Sequence, residues 1–463
     1  MAQYSKHYED FLAQEKTNFE VVMIADNFGN LTPGTGATAA DAFGRLRVAE
    51  PYTLGDYKHI YTLDSQFLDK TANGGTVTFD SNRATAVLST SSNPASYAIH
   101  QTKAYHHYQP GKSQLIFSSI HFGYAQQNVT KRTGYFDDRN GIYFEQVGDA
   151  DSDGTDKGTL NFVIRSSTSG SASEADEGVY KRRVPQSEWN IDPCDGTGPS
   201  KFNIDISKTQ LVYMDFQWLG VGRVRCGFVH NGQIILAHEY YHSNVLQNIY
   251  LSSPNLPVRC EVRNTGTTTG GSSDQVCASV MSEGGYAENG LDWAITSPAV
   301  RETITPGGTR FPLMAIRLKN TFGTLPNRIT VRPNTLGIFA QSNACYYELI
   351  KLSSATQLTT TLNSGVLTWT SADSSSGVEY CTNAEAITGA VDIFAAGIVT
   401  AGSSPNSLTP VASGGLTQAK KNALYQNIDS TDSEVFVVSV KTVETASNTK
   451  TNVACTLQWR EIY

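Results

Sequence analysis

The chain has 463 residues, of which 17% are charged, and it carries a formal net charge of −8 at pH 7. This negative charge excludes a general nucleic-acid binder, which needs a basic surface to displace counterions. No stretch is long and apolar enough to cross a bilayer, so we expect no membrane insertion. Glycine (39), tyrosine (22) and phenylalanine (19) are abundant, which is typical of an all-β protein with many turns.

The seven cysteines are scattered along the chain without a C-x-x-C pair. This pattern predicts neither a disulfide framework nor a zinc-finger site. The first residues, MAQYSKHYEDFLAQEK, lack the apolar core of a signal peptide. We therefore expect a protein that is made in a reducing cytoplasm.

Residues 1–59 are predicted to form an extended N-terminal arm. A polar amphipathic piece precedes the apolar run FEVVMIA, and a stretch rich in Gly, Thr and Ala follows. Little of this sequence can bury itself, so we expect the arm to pack on a partner chain or along the main domain. The candidate assembly residues are Phe43, Arg45 and Arg47, within DAFGRLRV.

Residues 60–299 are predicted to form a jelly-roll β-sandwich. Short strands alternate there with turns that contain Gly, Asn, Asp or Pro. About eight to twelve such strands fit a double-sheet jelly roll. The succession LVYMDFQWLG, RVRCGFVH, an Asn-Gly turn and QIILAHEYYH resembles the matching part of concanavalin-like and laminin-G-like domains. Residues 266–297 are predicted to be a flexible loop insert between strands.

Residues 300–463 return to the pattern of strands and turns, for example in NRITVRPNTLGIFA and SEVFVVSVKTVE. They predict a second β-sandwich domain, or a continuation of the first one. The expected fold class is therefore all-β: an extended arm, a concanavalin/laminin-G-like jelly-roll sandwich and a second β-sandwich.

His238, Glu239 and His242 match H-E-x-x-H, the signature of a zinc-dependent hydrolase. The motif needs a helix, which places the two histidines one turn apart on one face beside a zinc-bound water. A third ligand would also be needed, for which Glu261 and Glu283 are the candidates.

The Asn-Gly dipeptide at 231–232 argues against that helix, because it is the strongest short-range hairpin signal. A hairpin about this turn pairs Cys226 with Ala237 and places the motif in a strand. His238 and His242 then lie about 13 Å apart along the strand, too far for one zinc ion. We therefore interpret the motif as part of a strand, and the zinc site remains the alternative.

Asp149, Asp151 and Asp153 are the candidate metal residues, in DADSDGTDKGTL. With Gly154 they fill the first, third, fifth and sixth positions of a calcium loop. The twelfth position is Leu160 where a bidentate glutamate belongs, so the alternative is a solvated acidic turn. We expect no cofactor, and a calcium ion at this loop is the alternative.

Paired carboxylates of the kind used by jelly-roll glycosidases are not evident. In the closest match to E-x-D-x-x-E, Glu174 and Asp176 are followed by Val179 at the last position. Asp137 and Asp138 are adjacent, which favours turn chemistry ahead of the next Asn-Gly pair.

Three tyrosines are candidates for glycan binding, because aromatic rings stack on sugar rings when they line one concave sheet. They are Tyr105, Tyr108 and Tyr240. The alternative is ordinary packing and cross-strand pairing within the sheets.

Several long phrases resemble a family of largely uncharacterised virion structural proteins of tailed phages and large viruses. These phrases are DAFGRLRV, YQPGKSQLIF, GYFDDRNGIYFE, DFQWLGVGRVR and PNLPVR. The resemblance covers residues 41–265 and, further on, only the final strand, LQWREIY.

The resemblance implies a non-enzymatic structural component of a virion, associated with the tail, collar or fibre and assembled as a homo-oligomer. Its partners would be other virion proteins, reached through the N-terminal arm, and its location would be the virion after synthesis in the host cytoplasm. The alternatives are a capsid-surface decoration protein and an adhesin that binds a host surface glycan.

Overall fold

The computed structural model describes residues 51–267, 269–297, 301–302, 309–361, 363–400, 402, 408–409, 423–443 and 451–463. The candidate assembly residues Phe43, Arg45 and Arg47 lie outside these ranges. Within them, the regular structure is β-strand, apart from short 3-10 helices at Gln186–Glu188, Ala355–Gln357 and Asn363–Gly365. No helix in these ranges is long and apolar enough to cross a membrane.

The first half of the described chain folds into strands rich in β-branched and aromatic residues, which suit a pleated sheet. In chain order they are β1 (Tyr52–Lys58), β2 (Phe67–Ala72), β3 (Thr76–Asp80), β4 (Thr85–Ser89), β5 (Tyr97–Thr102), β6 (Ser113–His121), β7 (Val129–Phe136), β8 (Gly141–Val147), β9 (Thr159–Arg165), β10 (Arg183–Pro185), β11 (Gln210–Phe216), β12 (Val224–His230), β13 (Gln233–Tyr240), β14 (Val258–Asn264) and β15 (Ser272–Glu283).

These strands form two antiparallel sheets. Sheet I has the order β13-β12-β11-β6-β15-β4-β3, with β1 also paired to β15, and sheet II has the order β10-β9-β8-β7-β14-β5-β2. Their facing sides meet in one apolar core that includes Phe144 and Phe162 from sheet II and Met214 and Phe228 from sheet I. Neighbours in sequence are often distant in the sheets, which is the connectivity of a jelly roll.

The second half of the described chain forms another sandwich. Its strands are β16 (Leu291–Thr296), β17 (Arg301–Glu302), β18 (Phe311–Leu318), β19 (Thr321–Phe322), β20 (Leu325–Pro326), β21 (Thr330–Ala340), β22 (Cys345–Leu352), β23 (Leu358–Thr359), β24 (Thr370–Ser371), β25 (Val378–Cys381), β26 (Ala386–Ile387), β27 (Asp392–Val399), β28 (Leu408–Thr409), β29 (Val435–Thr442) and β30 (Asn452–Ile462).

Sheet III has the order β16-β30-β21-β28, with β17 on β30, and sheet IV has the order β24-β25-β18-β29-β22-β27. Buried side chains of both sheets, among them Phe436 and Trp459, fill the space between them. The predicted fold class is confirmed: an all-β chain with a jelly-roll sandwich followed by a second β-sandwich.

Two segments differ from the prediction. Residues 266–297 are not a loop insert, because they contain β15, a central strand of sheet I, and β16 in sheet III. Residues 52–58, predicted to belong to the arm, form β1 at the side of β15. Ser273, Asp274 and Gln275 are buried in β15, and this polar composition made the strand look like a loop.

The β12–β13 hairpin has the predicted Asn-Gly turn. Asn231 and Gly232 have φ of 50° and 76°, the left-handed pair that a two-residue type I′ hairpin needs. The register follows the prediction as far as Gly227 opposite Leu236 and then shifts by one residue. Cys226 therefore faces His238, and the predicted Cys226–Ala237 pair is wrong because a β-bulge intervenes.

Candidate functional site

The two sandwiches meet at a junction that ion pairs hold together. Lys103, at the end of β5, donates to Glu434 of the second sandwich at 2.9 Å, and Glu434 also pairs with Lys351 at 3.0 Å. Lys70 of β2 pairs with Asp429. Cavities border this junction, and two of them include Tyr105 in their lining.

The larger cavity, called the aromatic cleft below, has a volume of about 600 Å³. Tyr52 and Tyr286 stack at its edge with ring centroids 5.2 Å apart. Tyr57 shares a 2.8 Å hydrogen bond with His106 Nε2 inside it. Its lining also includes Tyr105, His107, Arg332 and Tyr425.

The smaller cavity, called the junction pocket below, has a volume of about 370 Å³. The first sandwich contributes the 137–140 turn, the 252–255 loop and Tyr105, and the second contributes residues from 325–328 and 428–430. Two of the phrases that carry the family resemblance, GYFDDRNGIYFE and PNLPVR, therefore come together at this pocket.

Tyr105, one of the predicted glycan-binding residues, lines both cavities. It lies in the irregular segment between β5 and β6, which is fixed by a 3.0 Å hydrogen bond from the His106 amide to the Leu256 carbonyl. The guanidinium of Arg328 lies over the Tyr105 ring, 4.5 Å from its centroid. Burial raises the pKa of Tyr105 above its usual range, so its hydroxyl is neutral at neutral pH.

The other two predicted tyrosines do not join Tyr105. Tyr108 and Tyr240 are both 3% exposed and belong to the core between sheets I and II. The Tyr108 hydroxyl accepts from the Trp218 amide at 3.0 Å, and the Tyr240 hydroxyl donates to the Phe162 carbonyl at 2.7 Å. Their rings pack inside the sandwich, so the prediction that they bind glycan is wrong in this fold.

The H-E-x-x-H motif lies at the end of a strand and not on a helix. His238 faces the core beside Cys226, whereas Glu239 is on the opposite side of β13, opposite Arg225. His242 follows the strand; its Nδ1 donates to the Gly222 carbonyl at 2.5 Å, and its Nε2 accepts from the Tyr180 hydroxyl at 2.8 Å.

Burial lowers the pKa of His238 and that of His242 to about 4. Both rings are therefore neutral near pH 7 and serve packing and hydrogen bonding. A zinc ion would have to displace both partners of His242, so the zinc-hydrolase alternative has no geometric basis here.

The predicted calcium residues are not gathered around one point. Asp149 accepts from the Thr159 hydroxyl at 2.7 Å, and Asp153 accepts from the Thr155 amide at 3.0 Å, while Asp151 is exposed. Among the described residues, no group of three or more His, Cys, Asp or Glu side chains is placed to hold a metal ion. The Asp149 and Asp153 carboxylates are bound to donors within the loop, and the calcium site stays a prediction.

The outer face of sheet II, turned away from sheet I, carries a buried set of charges that we call the arginine–carboxylate network. Arg132 donates to Glu145 and to Glu261, each at 2.7 Å. Glu261 also accepts from Arg259 at 2.6 Å and from Arg263 at 2.8 Å. Glu145 and Glu261 are both 0% exposed.

The electrostatics of this network keep two of its carboxylates, those of Glu261 and Glu174, ionised. Burial alone would raise the pKa of Glu261, but the guanidinium groups of Arg259 and Arg132 outweigh burial and hold it well below its usual range. Glu174 reaches the network from the segment between β9 and β10. Burial alone would raise its pKa as well, but the charges of Arg132 and Arg165 outweigh burial and lower it. A general acid must keep its proton near neutral pH, so these carboxylates are unsuited to that role.

Sequence reasoning missed most of this arrangement. Glu145, Glu261 and Arg132 lie on separate strands, and only the strand order β8-β7-β14 brings them together. Arg328 and Ser430 reach the junction pocket from loops far along the chain. The one local signal was that Glu145, Arg132 and Glu261 lie within sequence predicted to be strand. Charged residues in such strands ordinarily face solvent, so this signal did not indicate a buried network.

No family model and no curated protein sequence matches this chain. Among solved structures, peanut lectin is similar at 11% identity and a TM-score of 0.28, covering 50% of this chain and 98% of the lectin. A β-glucanase of Bacillus licheniformis is similar at 11% identity and a TM-score of 0.29, covering 50% of this chain and 98% of the enzyme. A β-1,3-glucanase of Mycobacterium marinum is similar at 12% identity and a TM-score of 0.29, covering 50% of this chain and 99% of the enzyme. Similarities this distant carry no inference about activity.

Proposed function

We propose that this chain is a non-enzymatic structural component of a phage virion, associated with the tail, collar or fibre and assembled as a homo-oligomer. The observation that carries the non-enzymatic part is the arginine–carboxylate network, in which Glu145 and Glu261 are buried and bound by Arg132. A carboxylate that is paired and held ionised, as that of Glu261 is, fixes neighbouring strands to one another and is unsuited to donating a proton to a substrate.

The family resemblance supports the virion part of the proposal. It extends along much of the first sandwich, in phrases such as YQPGKSQLIF and GYFDDRNGIYFE. A particle protein of this kind is made in the host cytoplasm and reaches its final location in the virion. Its arm would contact other virion proteins, and assembly would add stability by mass action. A capsid-surface decoration protein is the alternative position on the particle.

Quantitative mass spectrometry of particles purified by density gradient tests this proposal. We expect the chain in several copies per particle, at a constant ratio to the major capsid protein after a second purification. Particles from an infection in which the gene carries an early stop codon are the matched control and should lack its peptides. Wild-type particles that are free of the chain would overturn the proposal.

A second candidate function is that of an adhesin, which binds a glycan on the host surface. One observation favours it: Tyr105, a predicted glycan-binding residue, lines two cavities between the sandwiches. Binding of the purified chain to host cells, lost after periodate oxidation of their surface sugars, is the expected result. Unchanged binding to oxidised cells would contradict it.

A further inference from the structure

Two neighbouring loops of the first sandwich expose several large apolar side chains. One loop spans residues 217–222, between β11 and β12, and the other spans residues 241–250, after β13. The exposed side chains, which we call the apolar loop patch, are Leu219, Val221, Tyr241, Val245 and Ile249. Their exposed fractions lie between 37% and 52%, which leaves roughly 300–400 Å² of apolar surface in contact with water. An apolar patch of this size often marks a site of protein–protein contact.

Hydrogen bonds join the two loops into one surface. The Tyr250 amide donates to the Gly220 carbonyl at 2.9 Å, and the Tyr250 hydroxyl donates to the Gln217 carbonyl at 2.8 Å. The loops also pack closely, since a Cβ at Gly220 would lie 2.6 Å from Ile249 Cγ2. Because the loops are already held together, a partner need not order them on binding.

Leu219 is held in a backbone conformation that leucine rarely adopts. Its φ is 35°, in the left-handed region, where a residue with a Cβ is strained. The side chain is 49% exposed, so burial within the protein compensates for little of this strain. Backbone strain of this kind concentrates at functional sites. The conformation of Leu219 is therefore a second observation, independent of the apolar area, that points to a contact outside this chain.

The composition of the two loops favours a second copy of this chain as the partner. Residues 217–222 and 241–250 contain no Asp, Glu, Lys or Arg, and the ring of His242 is buried. Copies of a chain with a net charge of −8 repel one another. A contact between identical surfaces avoids like charges where those surfaces carry none. A partner that is recognised by its charge would need charged residues in these loops.

The extent of the patch also fits a dimer contact. A standard interface buries about 800 Å² on each partner, and a little over half of that area is apolar. The patch supplies most of that apolar area. Exposed, uncharged polar side chains of the second loop supply a rim: Ser243, Asn244, Gln247 and Asn248.

We propose that the apolar loop patch binds the same patch of a second copy of this chain across a twofold axis. Leu219 and its apolar neighbours form the centre of this contact, and the polar side chains of residues 243–248 surround them. The proposal rests on the homo-oligomer proposed above and names the surface through which it forms.

Sedimentation equilibrium of the purified full chain over a range of concentrations tests this. We expect a monomer–dimer equilibrium. Leu219→Asp and Val245→Asp each place a carboxylate in the contact, and each should raise the Kd of the dimer about 100-fold. Ile398→Asp is the matched control, at an apolar residue of the second sandwich that is 59% exposed, and it should dimerise as the wild type does.

Leu219→Gly separates lost association from lost folding. Glycine adopts the left-handed conformation without strain. This variant should therefore lose affinity for the second copy, while its monomer unfolds at the wild-type melting temperature or above it. The two proteins are compared at a dilution at which both are monomeric, because association itself raises the melting temperature.

Dimers that persist in both patch variants, or that dissociate in all three Asp variants alike, would overturn the proposal. The patch would then not be the interface, and the homo-oligomer would stand. A wild-type chain that stays monomeric at about 100 µM would also overturn it. If Leu219→Asp is then absent from purified particles while Ile398→Asp is present, a different virion protein covers the patch and the virion role stands.

Discussion

Three histidines show how burial sets the chemistry of single residues in this protein. His59, His238 and His242 are 1%, 6% and 0% exposed. Burial is the first cause that lowers the pKa of each to about 4. His242 also stacks on Tyr250 with ring centroids 3.9 Å apart. These rings are neutral building blocks of the fold and not proton carriers near pH 7.

This burial predicts that the protein loses stability in mild acid. An unfolded histidine has a pKa of about 6.5 and binds a proton below that pH, whereas the folded form stays neutral down to about 4. Stability is therefore complete above about pH 6.5 and falls as the pH is lowered toward 4. At pH 5 each buried histidine should reduce the free energy of unfolding by about 2 kcal/mol relative to pH 7.

Urea unfolding at pH 7 and pH 5 measures this effect. The difference between the two pH values should shrink by about 2 kcal/mol in His242→Gln, whatever the variant's stability at pH 7. His230→Gln changes an exposed histidine and should keep the wild-type difference. A His242→Gln protein with the same pH dependence as the wild type would show that His242 is not buried as a neutral ring.

Whether a residue's role could be predicted depends on whether its neighbours in sequence reveal which side of a strand its side chain occupies. The Asn-Gly signal correctly placed the H-E-x-x-H motif at a strand, because turn chemistry is local. The choice among the tyrosines needed more: Tyr240 is on the inward side of β13, and Tyr108 packs inward from the segment before β6. Nothing in the residues near Tyr105 reveals that a second sandwich lies over it.

The β12–β13 hairpin links turn chemistry to register at the scale of elements. Gly232 has a φ of 76°, and a side chain at this position would meet no neighbouring atom. Gly227 lies beside the β-bulge, and a Cβ there would come within 2.0 Å of the Ile235 carbonyl oxygen. The two glycines are therefore required for different reasons, one conformational and one steric.

Alanine substitutions separate these reasons. Gly232→Ala should cost about 1 kcal/mol, the strain of a left-handed alanine. Gly227→Ala should cost about 3 kcal/mol, because the backbone of β13 must move. Chemical denaturation of the two variants side by side checks the order. Equal losses, or a larger loss for Gly232→Ala, would contradict the bulged register.

The arginine–carboxylate network makes a prediction for sheet II. Glu261→Gln leaves Arg132, Arg259 and Arg263 without their shared carboxylate, and breaking such a buried pair should cost about 3–5 kcal/mol. Asp292 provides the control, since it pairs with Arg460 at 2.8 Å on the surface and is 53% exposed. Asp292→Asn should cost about 1 kcal/mol or less. Similar losses in both variants, measured by urea unfolding, would contradict the role given to burial.

The composition of β15 explains why this strand was predicted to be a loop. Many of the buried side chains of β15 are small or polar, including Ser273 and Gln275. Its apolar contribution to the core is Ala278 and Val280. A strand flanked on both sides by neighbours can bury such residues because its backbone is fully paired. Local hydrophobic pattern cannot reveal that pairing, and so the segment was predicted to be a loop.

At the scale of the whole molecule, composition and turn spacing predicted an all-β chain with a jelly roll followed by a second sandwich. They could not predict the junction, because loop–loop contacts across hundreds of residues leave no local pattern. Tyr105 and Arg328 meet there, as do Lys103 and Glu434.

Cryo-EM of the intact particle can show whether this chain is a structural part of a virion. We expect repeated copies of the two-sandwich protein at fixed symmetry-related positions. We also expect the segment that precedes β1 to contact neighbouring proteins, and Glu145 and Glu261 to be bound to arginines in every copy. A particle resolved to side chains that contains no copy of this fold would contradict the proposed virion role.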